Sequence, residues 1–187
     1  MTTILRAKLI AIALSILAAF NLASLPSTHP LVVRYESAAD DVIAAVEAEE
    51  PTSTDERKET LARILYVWGY YEGSWYPNPY GFPDGRVLEG TNDGGRACGV
   101  MQLHLDEINA LVGWKGILDP SWSCRALRKD RLLGFRAGLR VILELERRYG
   151  SLGAAMTAYS TDLGSHPWIA AVVKKRCKIA GVVCALP

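Results

Sequence analysis

The chain has 187 residues, enough for one domain and marginal for two. Half of its residues are hydrophobic, 22% are charged, and the formal net charge is +1. These values exclude a disordered acidic or basic tail, a collagen-like repeat and a polytopic membrane protein. They also give no support to a nucleic-acid-binding protein, which usually carries a clear basic excess.

Residues 1–25 have the layout of an export signal. Arg6 and Lys8 precede an apolar stretch of 17 residues, from Leu9 to Leu25. A short basic region followed by an apolar run and small residues is typical of a secretory signal peptide. The run is just shorter than the roughly 20 residues that span a bilayer. A cleaved signal peptide is therefore the first interpretation, and an uncleaved anchor that holds residues 9–25 in the membrane is the alternative.

Four cysteines agree with export: Cys98, Cys124, Cys177 and Cys184. An even number in an exported chain predicts disulfides, and four cysteines allow three pairings. Cys177 and Cys184 enclose only six residues, which favours a short C-terminal clasp and leaves Cys98 to pair with Cys124. A structural zinc site competes with this interpretation, but no pair has Cys-x-x-Cys spacing. We therefore expect no metal and no cofactor.

Charge is divided along the chain. Residues 31–120 hold 7 basic and 16 acidic side chains, whereas residues 121–187 hold 12 basic and 4 acidic ones. The basic part is suited to an anionic polymer or a membrane surface. A solvated helix face is the alternative interpretation.

Residues 26–53 are expected to form an acidic helix and a linker. The acidic, alanine-rich stretch 37–50 predicts a helix that Ser37 caps and a proline ends. A second helix is predicted directly after the linker, because Ser53 and Glu56 have the spacing of a capping box.

The second helix carries the most informative residue of the chain, Glu72. A stripe with helical spacing runs along it at i, i+4, i+7 and i+11: Leu61, Leu65, Trp68 and Glu72. Eleven residues at about 100° each return almost to the starting direction, so Glu72 lies on the apolar face. A carboxyl group there loses hydration, which favours its protonated form. A protonated acid can donate to a leaving oxygen, as in glycoside hydrolysis; a helix-end glutamate turned to water is the alternative.

The rest of the chain predicts loops and further helices. Residues 73–97 are rich in Gly, Pro, Asn and Asp, which favours loops or a small irregular sheet. Helical patterning resumes near Gly99 and runs to about Val112. Later helices are predicted over about 130–149, 154–159 and from Pro167 toward Cys177, with Gly150 as a stop. The predicted class is α+β and mainly helical, with one small loop or sheet excursion.

Four short segments follow one another in an informative order: YYEGSWYPNP, ACGVMQLH, AGLRVILELERRYG and AAMTAYSTDLG. Together they resemble the lysozyme-like domain of the soluble lytic transglycosylase family. The matching positions are Glu72, Trp75 and Pro77; Gly99, Val100, Met101 and Gln102; Ala137 and Gly138; and Ala158, Tyr159 and Gly164. The resemblance spans roughly residues 54–176 and implies a lysozyme-like catalytic domain over residues 54–187.

The resemblance implies a lytic transglycosylase that cuts the β-1,4 bond between N-acetylmuramic acid and N-acetylglucosamine. Glu72 would be its single general acid and base, and the products would end in anhydro-muramic acid. Residues expected to bind the substrate are Ser74, Tyr76, Met101, Gln102, Tyr159 and Ser160, with Tyr159 also orienting Glu72. The implied partner is the glycan strand, met by a monomer that is periplasmic, extracellular or anchored facing the cell wall.

Two alternatives remain open at this point. The segment DGGRACGVMQ also resembles goose-type lysozymes, in which an acidic residue at the position of Asp93 helps water attack the same bond. Asp93 is otherwise a turn residue in Asn-Asp-Gly. The family pattern has Ser where this chain has Gly73 and Asn where it has Ser160. These departures leave room for a non-catalytic, glycan-binding envelope protein.

Overall fold

The computed structural model describes residues 2–19, 26, 29–77, 96–105, 117–160 and 167–183. Within these ranges the fold is mainly helical with a single two-stranded sheet, as the sequence predicts. The elements are α1 (Thr2–Ala18), α2 (Pro30–Glu49), α3 (Asp55–Gly73), β1 (Ala97–Cys98), β2 (Leu103–His104), α4 (Cys124–Lys129), α5 (Arg131–Tyr149), α6 (Leu152–Ser160) and α7 (Pro167–Ala180).

Helix α3 lies at the centre of the core. From Leu61 to Trp68 every side chain except Arg63 is buried. A helix that is apolar on all sides must be covered on all sides, and α1, α2, α5 and α7 pack around it. The predicted stripe is confirmed, since Leu61, Leu65 and Trp68 are at most 1% exposed.

The starts of α2 and α3 differ from the prediction. Helix α2 begins at Pro30, where the side chain of His29 accepts a hydrogen bond from the Leu31 amide at 3.2 Å. Ser37 therefore lies inside the helix, and its hydroxyl donates to the carbonyl of Arg34. Proline suits the first helical position because it has no N–H to leave unpaired.

Thr54, not Ser53, caps α3. The Thr54 hydroxyl accepts from the Arg57 amide at 3.3 Å. The Ser53 hydroxyl is engaged elsewhere, because it donates to the carboxylate of Glu50. The cap is therefore displaced by one residue, and the residue three positions after it is Arg57 rather than the Glu or Gln of a capping box.

A β-hairpin occupies residues 97–104, where the sequence predicts the start of a helix from Gly99. Strands β1 and β2 pair antiparallel, with Ala97 opposite His104. Gly99 and Gln102 have φ values of 71° and 50°, which a right-handed helix does not contain. Residues 106–112 of that predicted helix lie outside the described residues.

The predicted disulfide between Cys98 and Cys124 is confirmed, and it joins β1 to α4. Cys177 is also disulfide-bonded. Its expected partner, Cys184, lies outside the described residues.

Helix α5 has the predicted boundaries and supports the hairpin. The Asp130 carboxylate accepts from the Leu133 amide at 3.0 Å, and Gly150 ends the helix in a left-handed conformation. Glycines on α5 let the turn between the strands approach closely. A Cβ atom at Gly138 would lie 2.6 Å from Cγ of Met101, so only glycine allows this contact.

The opposite charges of the two parts of the chain meet between α2 and α5. Arg131 pairs with Asp41 at 2.6 Å, and Glu49 pairs with both Arg136 and Arg140 at 2.6 and 2.5 Å. The Glu49 side chain is only 7% exposed. Part of the basic excess of residues 121–187 is thus used inside the fold.

Helix α1 packs on α2, α3 and α7. Leu5, Leu9 and Leu17 are buried in the common core. Arg6 pairs with Asp40 on the adjoining helix α2. In the part of the chain that the structure describes, no helix is both long and apolar enough to cross a bilayer. Export and cleavage of residues 1–25 stay predictions.

Candidate functional site

Glu72 lies in the last turn of α3, where that helix faces α7. Its side chain is 26% exposed, and Oε1 accepts a hydrogen bond from Nη1 of Arg176 at 2.5 Å. The surroundings of Glu72, which the sequence predicts to be apolar, thus also contain the positive charge of Arg176. The carboxylate of Glu72 and the guanidinium of Arg176 are within ion-pairing distance.

Two aromatic rings of α3 hold Arg176 in place. Its guanidinium carbon lies 5.0 Å from the ring centroid of Tyr71 and 5.5 Å from that of Trp68. These are cation–π distances. The side chain is 13% exposed. Its Nε atom is buried and has no hydrogen-bond partner among the described residues.

Tyr159, on α6, connects this pair to the hairpin turn. Its hydroxyl donates to the carbonyl of Met101 at 2.7 Å. Burial holds the pKa of the Tyr159 hydroxyl well above its ordinary value, the charge of Glu72 raises it further, and Arg176 partly opposes the shift. The hydroxyl therefore stays neutral and acts as a donor at physiological pH.

Ser160 joins the same group through Trp68. The indole Nε1 of Trp68 donates to the Ser160 hydroxyl at 3.3 Å. Trp68 thus contacts Ser160 with its polar edge and Arg176 with its ring. The end of α6 and the middle of α7 are thereby both held against α3.

Met101 and Gln102 form the turn of the hairpin. The Met101 side chain is 1% exposed and packs against Gly138, so its carbonyl rather than its thioether reaches Tyr159. The half-buried Gln102 side chain donates to the carbonyl of Gly99 at 2.7 Å. This bond stabilises the turn.

The residues after Glu72 lie in different surroundings. Ser74 is exposed and caps α3 in a left-handed conformation, with φ of 48°. Trp75 is fully buried, and its indole donates to the carbonyl of Tyr66. Tyr76 is 44% exposed and lies under the guanidinium of Arg34 on α2.

The structure thus brings Glu72, Tyr159, Ser160 and the hairpin turn together. Tyr76, by contrast, contacts α2. Asp93, the expected second carboxylate, lies outside the described residues.

Arg176 is the site residue that sequence reasoning missed. It stands in the run KKRCK, which looks like a solvated basic face. A signal was present in the helical spacing, because Val173, Cys177 and Ala180 form the buried stripe of α7 and Arg176 borders it. Its partner, however, is 104 residues away. No local pattern identifies such a pair.

The hydroxyl of Tyr159 and the turn carbonyl that accepts from it are 58 residues apart in the chain. No protein-family model, curated protein or solved structure matches the chain. A function for the chain is therefore inferred from its own residues and their geometry.

Proposed function

We propose that this protein is a lysozyme-like lytic transglycosylase that cuts the glycan strands of peptidoglycan, with Glu72 as its single general acid and base. The observation that carries the proposal is the convergence of three distant segments. Tyr159 donates to the carbonyl of Met101 and lies within electrostatic reach of Glu72. These are three of the four segments that carry the resemblance to the family.

The reaction uses Glu72 twice. Its protonated carboxyl group gives a proton to the glycosidic oxygen as the bond to C1 of the muramic sugar breaks. The sugar's own N-acetyl oxygen stabilises the positive charge that develops at C1, so no second protein carboxylate is required. The 6-hydroxyl of the same sugar then attacks C1 and returns its proton to Glu72. The bond is exchanged without water, and Glu72 ends as it began.

The neighbours of Glu72 have supporting roles in this proposal. The Tyr159 hydroxyl fixes the hairpin turn through the carbonyl of Met101, and Gln102 in that turn binds the glycan through its amide group. Ser160, held by Trp68, supplies a short hydroxyl where the family has Asn. The disulfide between Cys98 and Cys124 supports a place outside the cytoplasm, facing the cell wall, since disulfides persist in oxidising compartments.

A glycan-binding protein without catalytic activity is the second candidate, and one observation favours it. Oε1 of Glu72 is held by Nη1 of Arg176 at 2.5 Å, so this oxygen is not presented to a glycosidic bond. Such a protein would hold the same strands without cutting them.

Replacement of Glu72 by Gln separates these candidates. Glu72→Gln keeps the shape of the side chain and removes the transferable proton. We expect release of soluble fragments from purified peptidoglycan to fall at least about 1000-fold, within the range that acid–base catalysis contributes. Glu56→Gln, at an exposed position in the first turn of the same helix, is the matched control and should keep full activity. Full activity in Glu72→Gln, or none in the unaltered protein, refutes the proposal.

A further inference from the structure

Arg176 has more hydrogen-bonding capacity than its contacts with the described residues use. A guanidinium offers five N–H donors. One of them reaches Glu72 at 2.5 Å, whereas the buried Nε has no partner among the described residues. The planar group is stacked near Tyr71 and Trp68, so its orientation is set by the fold. The guanidinium edge that binds Glu72 is therefore preorganised, and the same edge can bind another carboxylate.

The ion pair conflicts with the chemistry proposed for Glu72. A general acid must turn its carboxyl group toward the glycosidic oxygen, whereas Oε1 of Glu72 is held by Nη1 of Arg176 at 2.5 Å. Another anion that takes the place of Glu72 beside Arg176 releases the Glu72 side chain for that contact. The substrate carries suitable anions, because muramic acid has a lactyl carboxylate and stem peptides have carboxylates of their own.

We infer that Arg176 exchanges Glu72 for a carboxylate of the bound glycan, and that this exchange frees Glu72 to act as the acid. The inference rests on the proposed function and adds to it a specificity-determining residue. An anionic glycan then binds and activates the site in one event. A neutral glycan leaves the ion pair intact and is cut slowly.

Glycan strands of different charge test the exchange. The first substrate is strands freed of stem peptides, which carry lactyl carboxylates; the second is the same strands after reduction of those carboxylates to alcohols. The unaltered protein should cut the first with a kcat/KM about 10- to 100-fold higher, as a charge-assisted hydrogen bond predicts. In strands that keep their stem peptides, the lactyl carboxylate has become an amide. The rate on these strands therefore shows whether Arg176 binds the lactyl carboxylate or a carboxylate of the peptide.

Arg176→Gln should remove the preference by losing activity on the charged strands. Arg176→Lys keeps the charge and should retain part of the preference for charged strands. If Arg176→Gln does not fold, the lysine variant tests the inference. Lys175→Gln, an exposed change on the same helix, is the control for net charge and should keep the full preference.

Two results overturn the inference alone: an unaltered protein that cuts both substrates equally, or arginine variants that keep the full preference. If the unaltered protein cuts none of the strands, the proposed function fails and the inference with it. That outcome differs from the other two because every substrate is then left intact.

Discussion

Tyr159 and Tyr66 each donate a hydrogen bond from the phenol hydroxyl to a backbone carbonyl, but at different places in the fold. The Tyr159 hydroxyl donates to the carbonyl of Met101 at 2.7 Å and lies within electrostatic reach of Glu72. The Tyr66 hydroxyl donates to the carbonyl of Tyr35 at 2.8 Å, on the α2 side of α3. The two bonds are chemically alike, so a comparison of them separates stability from function.

Tyr159→Phe should lower the free energy of unfolding by about 1 kcal/mol, because a buried carbonyl loses its donor. It should also lower the activity of each folded molecule, since the hairpin turn is no longer fixed to α6. Urea unfolding and peptidoglycan solubilisation measure the two effects. Tyr66→Phe should lose similar stability and keep its activity. Equal activities in the two variants would contradict the role given to Tyr159.

The packing of the hairpin on α5 is the critical contact between elements. In Gly138→Ala the new methyl group would meet Cβ and Cγ of Met101 at 3.0 and 2.6 Å, atoms too close to the backbone to swing away. Such overpacking costs about 2 kcal/mol and should displace the turn, so both stability and activity should fall.

Gly150→Ala is the matched control for this change. Nothing lies within 4 Å of a Cβ atom there, and glycine is needed only for its φ of 79°. The change should cost about 1 kcal/mol of unfolding free energy and leave activity unchanged. Thermal unfolding with activity measured on the same samples distinguishes the two; loss of activity in Gly150→Ala alone would refute this account of the hairpin.

The sequence predicts elements where the signals are local. Helix α5 has Asp130 before it, Gly150 after it and a regular apolar stripe between them, so its bounds could be read directly. The hairpin could not be predicted in this way. The segment from Gly99 to Gln102 looks helical in composition, and the left-handed φ at Gln102 arises only when the turn closes. The link between Glu72 and Arg176 depends on how α3 and α7 pack, which no spacing reveals.

At the scale of the whole molecule, the divided charge of the sequence holds α2 against α5. Glu49 is 7% exposed and is shared by Arg136 and Arg140. Glu49→Gln leaves both guanidinium groups without their counter-ion, and the free energy of unfolding should fall by about 3 kcal/mol. Denaturant unfolding at neutral pH measures this loss.

Glu144 is the control for Glu49, because it also pairs with two arginines but within one helix. Hydrogen bonds from Arg147 and Arg148 lower the pKa of Glu144 to about 2. Its stabilising contribution is therefore present above its ordinary value of 4.5 and is lost as the pH falls toward 2. Glu144→Gln should cost less than about 1 kcal/mol at neutral pH, as surface pairs do. A cost equal to that of Glu49→Gln would refute the view that burial of the pair decides its effect.

The most direct measurement of the central claim is the mass of the sugar products from purified peptidoglycan. Transfer of the bond to the 6-hydroxyl predicts disaccharide products that end in anhydro-muramic acid, one water lighter than hydrolysis products, and none from Glu72→Gln. Products with reducing ends would contradict transglycosylation and assign the reaction to water. Intact strands after full incubation would contradict catalysis by Glu72 altogether.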